Sequence, residues 1–197
     1  FTREALGTGV LFAARMRNKA KGRWIANALK WMTTSNRTAG ELALQHGASA
    51  CTDVTGFGLL GHLVEMCKAS TEEEAAVAAA TATFCGAGSS PRGVAAAVRL
   101  ECVPLLDGAE ECVKKNIFSS LQPQNLRLRR AVSSMSEKKS GEVAARSPAF
   151  SLLFDPQTSG GLLVSLPATG AAEFVAALHA AGYADAEVIG EVVAGKP

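Results

Sequence analysis

The chain has 197 residues, of which 48% are hydrophobic and 19% charged, a composition typical of a folded globular protein. Twenty lysines and arginines against 18 aspartates and glutamates leave a net charge of +2, too small to favour a nucleic-acid or anionic-membrane partner. No apolar stretch approaches the roughly 18 residues of a membrane span, and no signal peptide is visible. We therefore expect a cytoplasmic protein with neither a nucleic-acid nor a membrane partner.

The cysteines are odd in number, widely spaced and contain no C-x-x-C pair. This pattern predicts reduced thiols in an intracellular protein, and it disfavours a disulfide framework or a zinc site. The chain begins at Phe1 instead of a methionine, so we expect a piece of a longer protein. The five cysteines are Cys51, Cys67, Cys85, Cys102 and Cys112.

The first elements combine one ambiguous segment with two clear helices. Residues 6–16, LGTGVLFAARM, begin with glycines and a short apolar run, which predicts the start of a buried strand. Residues 22–32 carry apolar side chains at helical spacing. In the next helix, Thr38 and Glu41 have the spacing of a capping box, and Gly47 follows as a helix stop.

The segment ACTDVTGFGLLGHL, residues 50–63, joins a predicted strand to a predicted helix through a glycine-containing loop. The helix is expected to continue to residue 69. Residues 71–93 then become alanine-rich and afterwards rich in Gly, Ser and Pro, as in a flexible insertion. That composition suits a frayed helix with a loop or a disordered segment.

The middle of the chain returns to strand character at residues 94–100, and Asp107 is predicted to cap the helix that follows. A further helix is expected at residues 123–135. Residues 136–147 form most of a polar connector that we interpret as a second flexible insertion.

Near the end of the chain, two apolar segments at residues 152–154 and 162–166 are predicted strands that flank the loop DPQTSGG. A helix at residues 168–181 and a last strand follow. The strands and helices lack the even rhythm of a doubly wound sheet. We expect an α+β fold, with a mixed β-sheet and helices on both faces.

Two loops contain residues suited to chemistry. Asp53 leaves a strand, and a carboxylate held in this way can bind Mg²⁺ together with substrate phosphates. Gly56 and Gly58 allow a ligand to approach the backbone, and the start of the following helix favours an anion. An Asp-Gly turn that simply caps the helix explains the same residues.

The second loop, residues 155–161, is rich in polar side chains and ends in two glycines. An ordinary turn between strands accounts for this composition as well. His62 is expected to be buried and hydrogen-bonded in a structural role. Cys51 is expected to be inert because it lies within a predicted buried strand.

Four segments of the chain, CTDVTGFGLLGHLVEM, FDPQTSGGLLVSLP, LGTGVL and SLQPQN, resemble the C-terminal domain of selenophosphate synthetase, also called selenide, water dikinase. The resemblance extends over residues 6–193, apart from the two insertions. It implies α/β/α layers, as in the C-terminal domain of the aminoimidazole ribonucleotide synthetase group. Residues 1–197 would then be a single C-terminal domain, with the N-terminal ATP-binding domain absent.

The resemblance also implies an activity for the full-length protein. Members of the family are kinases that make selenophosphate from selenide, ATP and water, with AMP and phosphate as the other products. This reaction belongs to selenium metabolism and selenocysteine biosynthesis. Family enzymes bind Mg²⁺ through three aspartates, of which Asp53 is the one in this chain. Thr52, Thr55 and loop 155–161 are expected to line the same cleft.

The remaining functional groups belong to the absent domain: the other aspartates, a lysine and the catalytic cysteine or selenocysteine. No catalytic residue is therefore assigned here, and the fragment is expected to be inactive alone. Homodimerisation is expected through the absent domain. Two alternatives stay open: a non-catalytic paralogue with a regulatory or binding role, and a sister enzyme acting on a phosphorylated metabolite. The residues expected to line the cleft are Thr52, Thr55, Gly56, Gly58, Asp155, Gln157, Thr158, Ser159, Gly160 and Gly161.

Overall fold

A computed structural model describes residues 5–85, 93–132 and 147–195. Its α-helices are α1 (Thr8–Met16), α2 (Gly22–Met32), α3 (Arg37–Gln45), α4 (Gly58–Cys85), α5 (Ala109–Lys114), α6 (Gln122–Asn125), α7 (Pro148–Leu152) and α8 (Ala171–Ala180). Its strands are β1 (Ala50–Asp53), β2 (Val94–Val98), β3 (Leu162–Ser165) and β4 (Gly190–Ala194). Short 3₁₀ helices span Leu100–Cys102, Leu126–Ala131 and Ala168–Gly170.

The strands of the described residues form two antiparallel pairs, β1 with β3 and β2 with β4. An isolated parallel bridge joins Leu6 to Leu105. The α+β class predicted from the sequence is confirmed. The sequence predicts one mixed sheet. Among the described residues the strands instead form these two separate pairs, with the Leu6–Leu105 bridge in addition. The β1–β3 pair matters most for the site, because it places Asp53 directly opposite Leu162.

The larger of two hydrophobic clusters lies between α1, α4, α5 and the segment 152–154. Leu152 and Phe154 are completely buried in it, as are Val10 and Leu11 of α1. Burial of each such side chain contributes about 2 kcal/mol of hydrophobic stabilisation. The smaller cluster holds α8 against α3 and β3 through Phe174 and Val164.

Two predicted strands are wrong: residues 8–16 are helical, and the predicted strand at residues 152–154 is the end of a helix followed by a turn. Residues 8–16 form α1, because Val10 and Ala14 lie one turn apart on the buried face of a helix. Leu152 is the last residue of α7, with Pro148 in the first turn of that helix, where the missing amide costs nothing. The chain then turns through Leu153 and Phe154 into the DPQTSGG loop.

Helix α2 has the predicted bounds, and Gly47 ends α3 with φ +71°. The capping details differ. Glu41 pairs with Arg37 at 2.9 Å instead of closing a capping box. Gly108, with φ +84°, is the N-cap of α5, so Asp107 lies one residue too early to cap it.

Helix α4 continues to Cys85, well beyond the predicted end at residue 69. Residues 86–92 of the first predicted insertion lie outside the described residues, as do residues 133–146, which contain nearly all of the second. The predicted helix at residues 123–135 is α6 followed by a 3₁₀ turn as far as Ala131. None of the described helices is both long enough and apolar enough to cross a membrane.

Candidate functional site

Asp53 is the last residue of β1, and only four residues separate it from the start of α4. Asp53 is exposed. Within the described part of the chain, no group forms a hydrogen bond or ion pair with its carboxylate. Thr52 beside it is half-buried, and its hydroxyl donates to the Asp53 carbonyl oxygen at 3.3 Å. Strand pairing thus fixes the backbone of Asp53 and leaves its carboxylate accessible.

Loop 155–161 lies directly against the segment that follows Asp53. The Val54 amide donates to the Gly161 carbonyl oxygen at 2.8 Å, and the Gln157 amide donates to the Thr55 carbonyl oxygen at 3.0 Å. These bonds continue the β1–β3 pairing beyond the last residue of β1 and before the first residue of β3. The structure therefore brings the two predicted loops together, although about 100 residues separate them in the chain.

Glycine permits this close packing at two positions. A Cβ on Gly160 would overlap the carbonyl oxygen of Val54. Gly58 has φ +71°, and a Cβ there would lie 2.8 Å from the Leu153 carbonyl oxygen. Between these buried contacts, Gly56, Thr158 and Ser159 are exposed, and Ser159 adopts the left-handed region at φ +53°. The exposed surface of the two loops thus combines small and polar residues with one large apolar side chain, Phe57, which is 56% exposed.

The side chains of Asp155 and Gln157 turn inward, towards the N-terminus of α1. Asp155 is completely buried, and its Oδ2 accepts hydrogen bonds from the Val10 amide at 3.3 Å and from the Gln157 side chain at 3.1 Å. Gln157 Oε1 accepts from the amides of Gly7 at 3.1 Å and Thr8 at 3.2 Å. Both side chains satisfy the free amides of a helix start. This differs from the cleft-lining position that the sequence predicts for them.

Burial raises the pKa of the Asp155 carboxyl group from 3.8 to about 7. Hydrogen bonds from the Val10 amide, the Gln157 side chain and the Gly9 amide act in the opposite direction, but they are the smaller effects. A carboxyl group that titrates near neutral pH therefore lies in the protein interior, next to the loop that supports the candidate site.

Two further side chains hold the loops and were not singled out from the sequence. The buried hydroxyl of Thr8 accepts from the Thr158 amide at 3.0 Å. Asn125 donates to the carbonyl oxygens of Gly56 at 2.9 Å and Phe154 at 3.0 Å, so it links both loops. Thr8 belongs to the segment LGTGVL and Asn125 to the segment SLQPQN. The family resemblance of these two segments could have pointed to both residues.

His62 lies in the first turns of α4 and is 7% exposed, as its predicted structural role requires. Its Nε2 lies 3.1 Å from the Thr55 amide nitrogen and 3.2 Å from the Thr55 hydroxyl oxygen. The sequence does not predict this partner. Thr55 is thus held by His62 on one side and by loop 155–161 on the other.

Cys51 is exposed, which corrects the prediction of a buried thiol. Partial desolvation and the neighbouring Asp53 carboxylate raise the pKa of its thiol. Because the thiolate is the nucleophilic form, these surroundings do not activate Cys51. The structure gives no reason to assign it a catalytic role.

The described residues contain no group of three or more His, Cys, Asp or Glu side chains that could hold a metal ion. Asp53 nevertheless fits one position of a shared Mg²⁺ site, because it offers an accessible carboxylate with no partner among the described residues. Mg²⁺ is commonly bound through one or two carboxylates together with phosphates and water.

Comparison with known proteins gives a consistent result. Residues 4–197 match the family model described as AIR synthase related protein, C-terminal domain. Three similar proteins are each named selenide, water dikinase. The chain is 34% identical to the one from Geobacter metallireducens over 161 residues, which cover 82% of this chain and 38% of the relative.

The other two alignments cover nearly all of the chain. Identity is 34% to the protein from Bordetella bronchiseptica, over 98% of this chain and 46% of the relative. It is 35% to the protein from Myxococcus xanthus, over 100% of this chain and 48% of the relative. The chain thus spans less than half the length of these relatives.

Proposed function

The chain belongs to the family of AIR synthase related proteins and corresponds to their C-terminal domain. From this premise we propose that it is the C-terminal part of a selenophosphate synthetase. In the full-length protein, selenide, ATP and water would be converted to selenophosphate, AMP and phosphate. The similarity to proteins named selenide, water dikinase supports this assignment. The observation that carries it is the accessible Asp53 carboxylate beside two packed loops.

The proposed role of this chain is to supply part of a phosphate-binding cleft. When bound, Mg²⁺ would neutralise phosphate charge during phosphoryl transfer. Asp53 would provide one ligand, and the Thr52 and Thr55 side chains would shape the surface around it. The exposed Thr158 and Ser159 stand next to this surface on the neighbouring loop.

Gly56, Gly58, Gly160 and Gly161 contribute through the backbone. The proposed role of Gly58 and Gly160 is to let the two loops pack closely, and Gly161 accepts from the Val54 amide. Gly56 is exposed with open space around it, and its proposed role is to let a ligand approach the backbone. Asp155 and Gln157 support the cleft from behind, through the start of α1. We place no catalytic residue in this chain and propose that the fragment is inactive alone.

The rest of the assignment concerns the full-length protein. We propose that the other Mg²⁺ ligands, the catalytic cysteine or selenocysteine and a lysine lie on an N-terminal ATP-binding domain, which also forms the homodimer. We propose a cytoplasmic location with no nucleic-acid or membrane partner. The thiols that the structure describes are free and belong to Cys51, Cys67, Cys102 and Cys112. Free thiols fit a reducing compartment.

The test uses the natural full-length protein with ATP and selenide, followed by phosphorus NMR. Wild type is expected to give selenophosphate, AMP and phosphate, and Asp53→Asn is expected to give none while keeping its fold. Asp185→Asn, which removes another exposed carboxylate, is the matched control and should behave as wild type. A folded wild-type protein that makes no selenophosphate would contradict the proposed reaction. Full activity of Asp53→Asn would contradict only the ligand assignment.

A further inference from the structure

The contacts of His62 go beyond filling space in the protein interior. Its ring nitrogen Nε2 faces the backbone amide of Thr55, which can only donate a hydrogen bond. Nε2 is therefore the unprotonated nitrogen of a neutral ring, and the hydrogen lies on Nδ1. On the far side of the ring, Nδ1 lies 3.4 Å from Oε2 of Glu65. His62 thus joins the Glu65 carboxylate, through an electrostatic contact, to Thr55, through a hydrogen bond.

This series of contacts ends at Thr55, which is two residues from Asp53 in the sequence. Thr55 is held at its amide by His62 and at its carbonyl oxygen by the Gln157 amide, 3.0 Å away. The Val54 amide is held by the carbonyl oxygen of Gly161. The backbone that follows Asp53 is therefore fixed before any ligand binds, since the amides of both residues already have partners.

The Thr55 hydroxyl shares the single lone pair of Nε2 with the Thr55 amide, at 3.2 Å and 3.1 Å. The amide bond to Nε2 does not depend on the hydroxyl, so rotation of the hydroxyl would let it donate to an incoming oxygen ligand such as a phosphate. The same ring thereby fixes the backbone and leaves one polar group available at the loop surface.

We propose that His62, with its ring oriented by Glu65, is a positioning residue that sets the direction of the Asp53 carboxylate towards a divalent cation through Thr55. This inference rests on the proposed function, because it assumes that Asp53 is a metal ligand. Residues of this kind, which act on a ligand through a neighbour, typically change metal affinity by about 10-fold to 100-fold when removed.

The first measurement concerns the tautomer and needs no activity. Long-range ¹H–¹⁵N correlation spectra of the ¹⁵N-labelled full-length protein should show His62 with hydrogen on Nδ1. His179 provides an internal contrast, because its Nε2 lies 2.9 Å from the Ala186 carbonyl oxygen and must carry the hydrogen there. Hydrogen on Nε2 of His62 would overturn the inference, since that nitrogen could no longer accept from Thr55.

The second measurement is the affinity of the full-length protein for Mn²⁺ in the presence of ATP, by electron paramagnetic resonance. His62→Leu should weaken binding roughly 10-fold. His62→Gln, which places an amide oxygen near the position of Nε2, should recover most of the loss. His46→Gln is the control, because His46 contacts the Leu42 carbonyl oxygen away from the loop. Urea denaturation of each variant reports whether it folds.

Should His62→Leu fail to fold, Glu65→Ala decides the question. Glu65 has a side chain that is 62% exposed, so its loss is compatible with folding, and binding should weaken measurably but less than in His62→Leu. Unchanged Mn²⁺ affinity in the folded His62→Leu or Glu65→Ala variant, with weakened binding in Asp53→Asn, would overturn the positioning role alone. Unchanged affinity in Asp53→Asn would instead contradict the ligand assignment, and the positioning role would fall with it.

Discussion

The most informative perturbation of the fold is Asp155→Asn, because it removes a carboxyl group that is completely buried and nearly isosteric with its replacement. The pKa of Asp155 is raised from 3.8 to about 7 by burial. Between these two pH values the folded protein keeps the proton while the unfolded chain releases it. The free energy of unfolding therefore falls as pH rises through this window, and it levels off above about pH 7.

The size of the effect follows from proton linkage. A tenfold difference in proton affinity corresponds to about 1.4 kcal/mol, so the whole window from 3.8 to about 7 is worth about 4 kcal/mol. Between pH 5 and pH 7 the contribution of Asp155 should fall by about 2 kcal/mol. The amide introduced by the substitution does not titrate, so the variant should gain stability relative to wild type by that amount over the same interval.

The assay is urea denaturation of wild type and Asp155→Asn at several pH values from 5 to 8, followed by tryptophan fluorescence. Trp24 is buried and its emission should report unfolding. Asp185→Asn controls for the loss of an exposed negative charge. Parallel pH profiles for wild type and Asp155→Asn would refute the reasoning, since they would show that Asp155 binds protons equally in both states.

Three further substitutions test the packing around the loops, each by urea denaturation. Gly160→Ala should lower the free energy of unfolding by about 2 kcal/mol or more, because its Cβ would overlap the Val54 carbonyl oxygen; Gly22→Ala, with open space around its Cβ, should be nearly neutral. Phe154→Ala should cost about 4 kcal/mol, because it empties a fully buried site; a loss below about 1 kcal/mol would show that the site collapses freely. Thr8→Val removes the hydroxyl that accepts from the Thr158 amide and should cost about 1–2 kcal/mol, whereas stability equal to wild type would mean that water replaces that bond.

Elements with a strong local signal were predictable from the sequence. The bounds of α2 follow from the spacing of its buried residues, and β1 and β3 follow from short apolar runs that end at the two polar loops. The closeness of Asp53 to loop 155–161 was also expected, but from the family resemblance. Local pattern says little about contacts between residues about 100 positions apart.

The errors have physical causes. A short apolar run such as GVLFAA is compatible with a strand or with one face of a helix, and only the packing of Val10 and Leu11 in the core decides between them. Asp155 and Gln157 look like surface residues of a polar turn. Their burial depends on α1, whose free amides provide the hydrogen bonds that make it tolerable.

The hydrogen bonds between loop 155–161 and the start of α1 have a consequence for protein synthesis. Their donors and acceptors are 145 to 150 residues apart in the chain. At roughly 5–20 residues per second, the partners that cap α1 are translated about 7 to 30 seconds after α1 itself. During that interval the nascent helix has unpaired amides at its start, and β1 lacks the strand with which it pairs. The surface around Asp53 can therefore assemble only after residue 161 has been translated, because Gly161 and Gln157 hold the backbone of Val54 and Thr55.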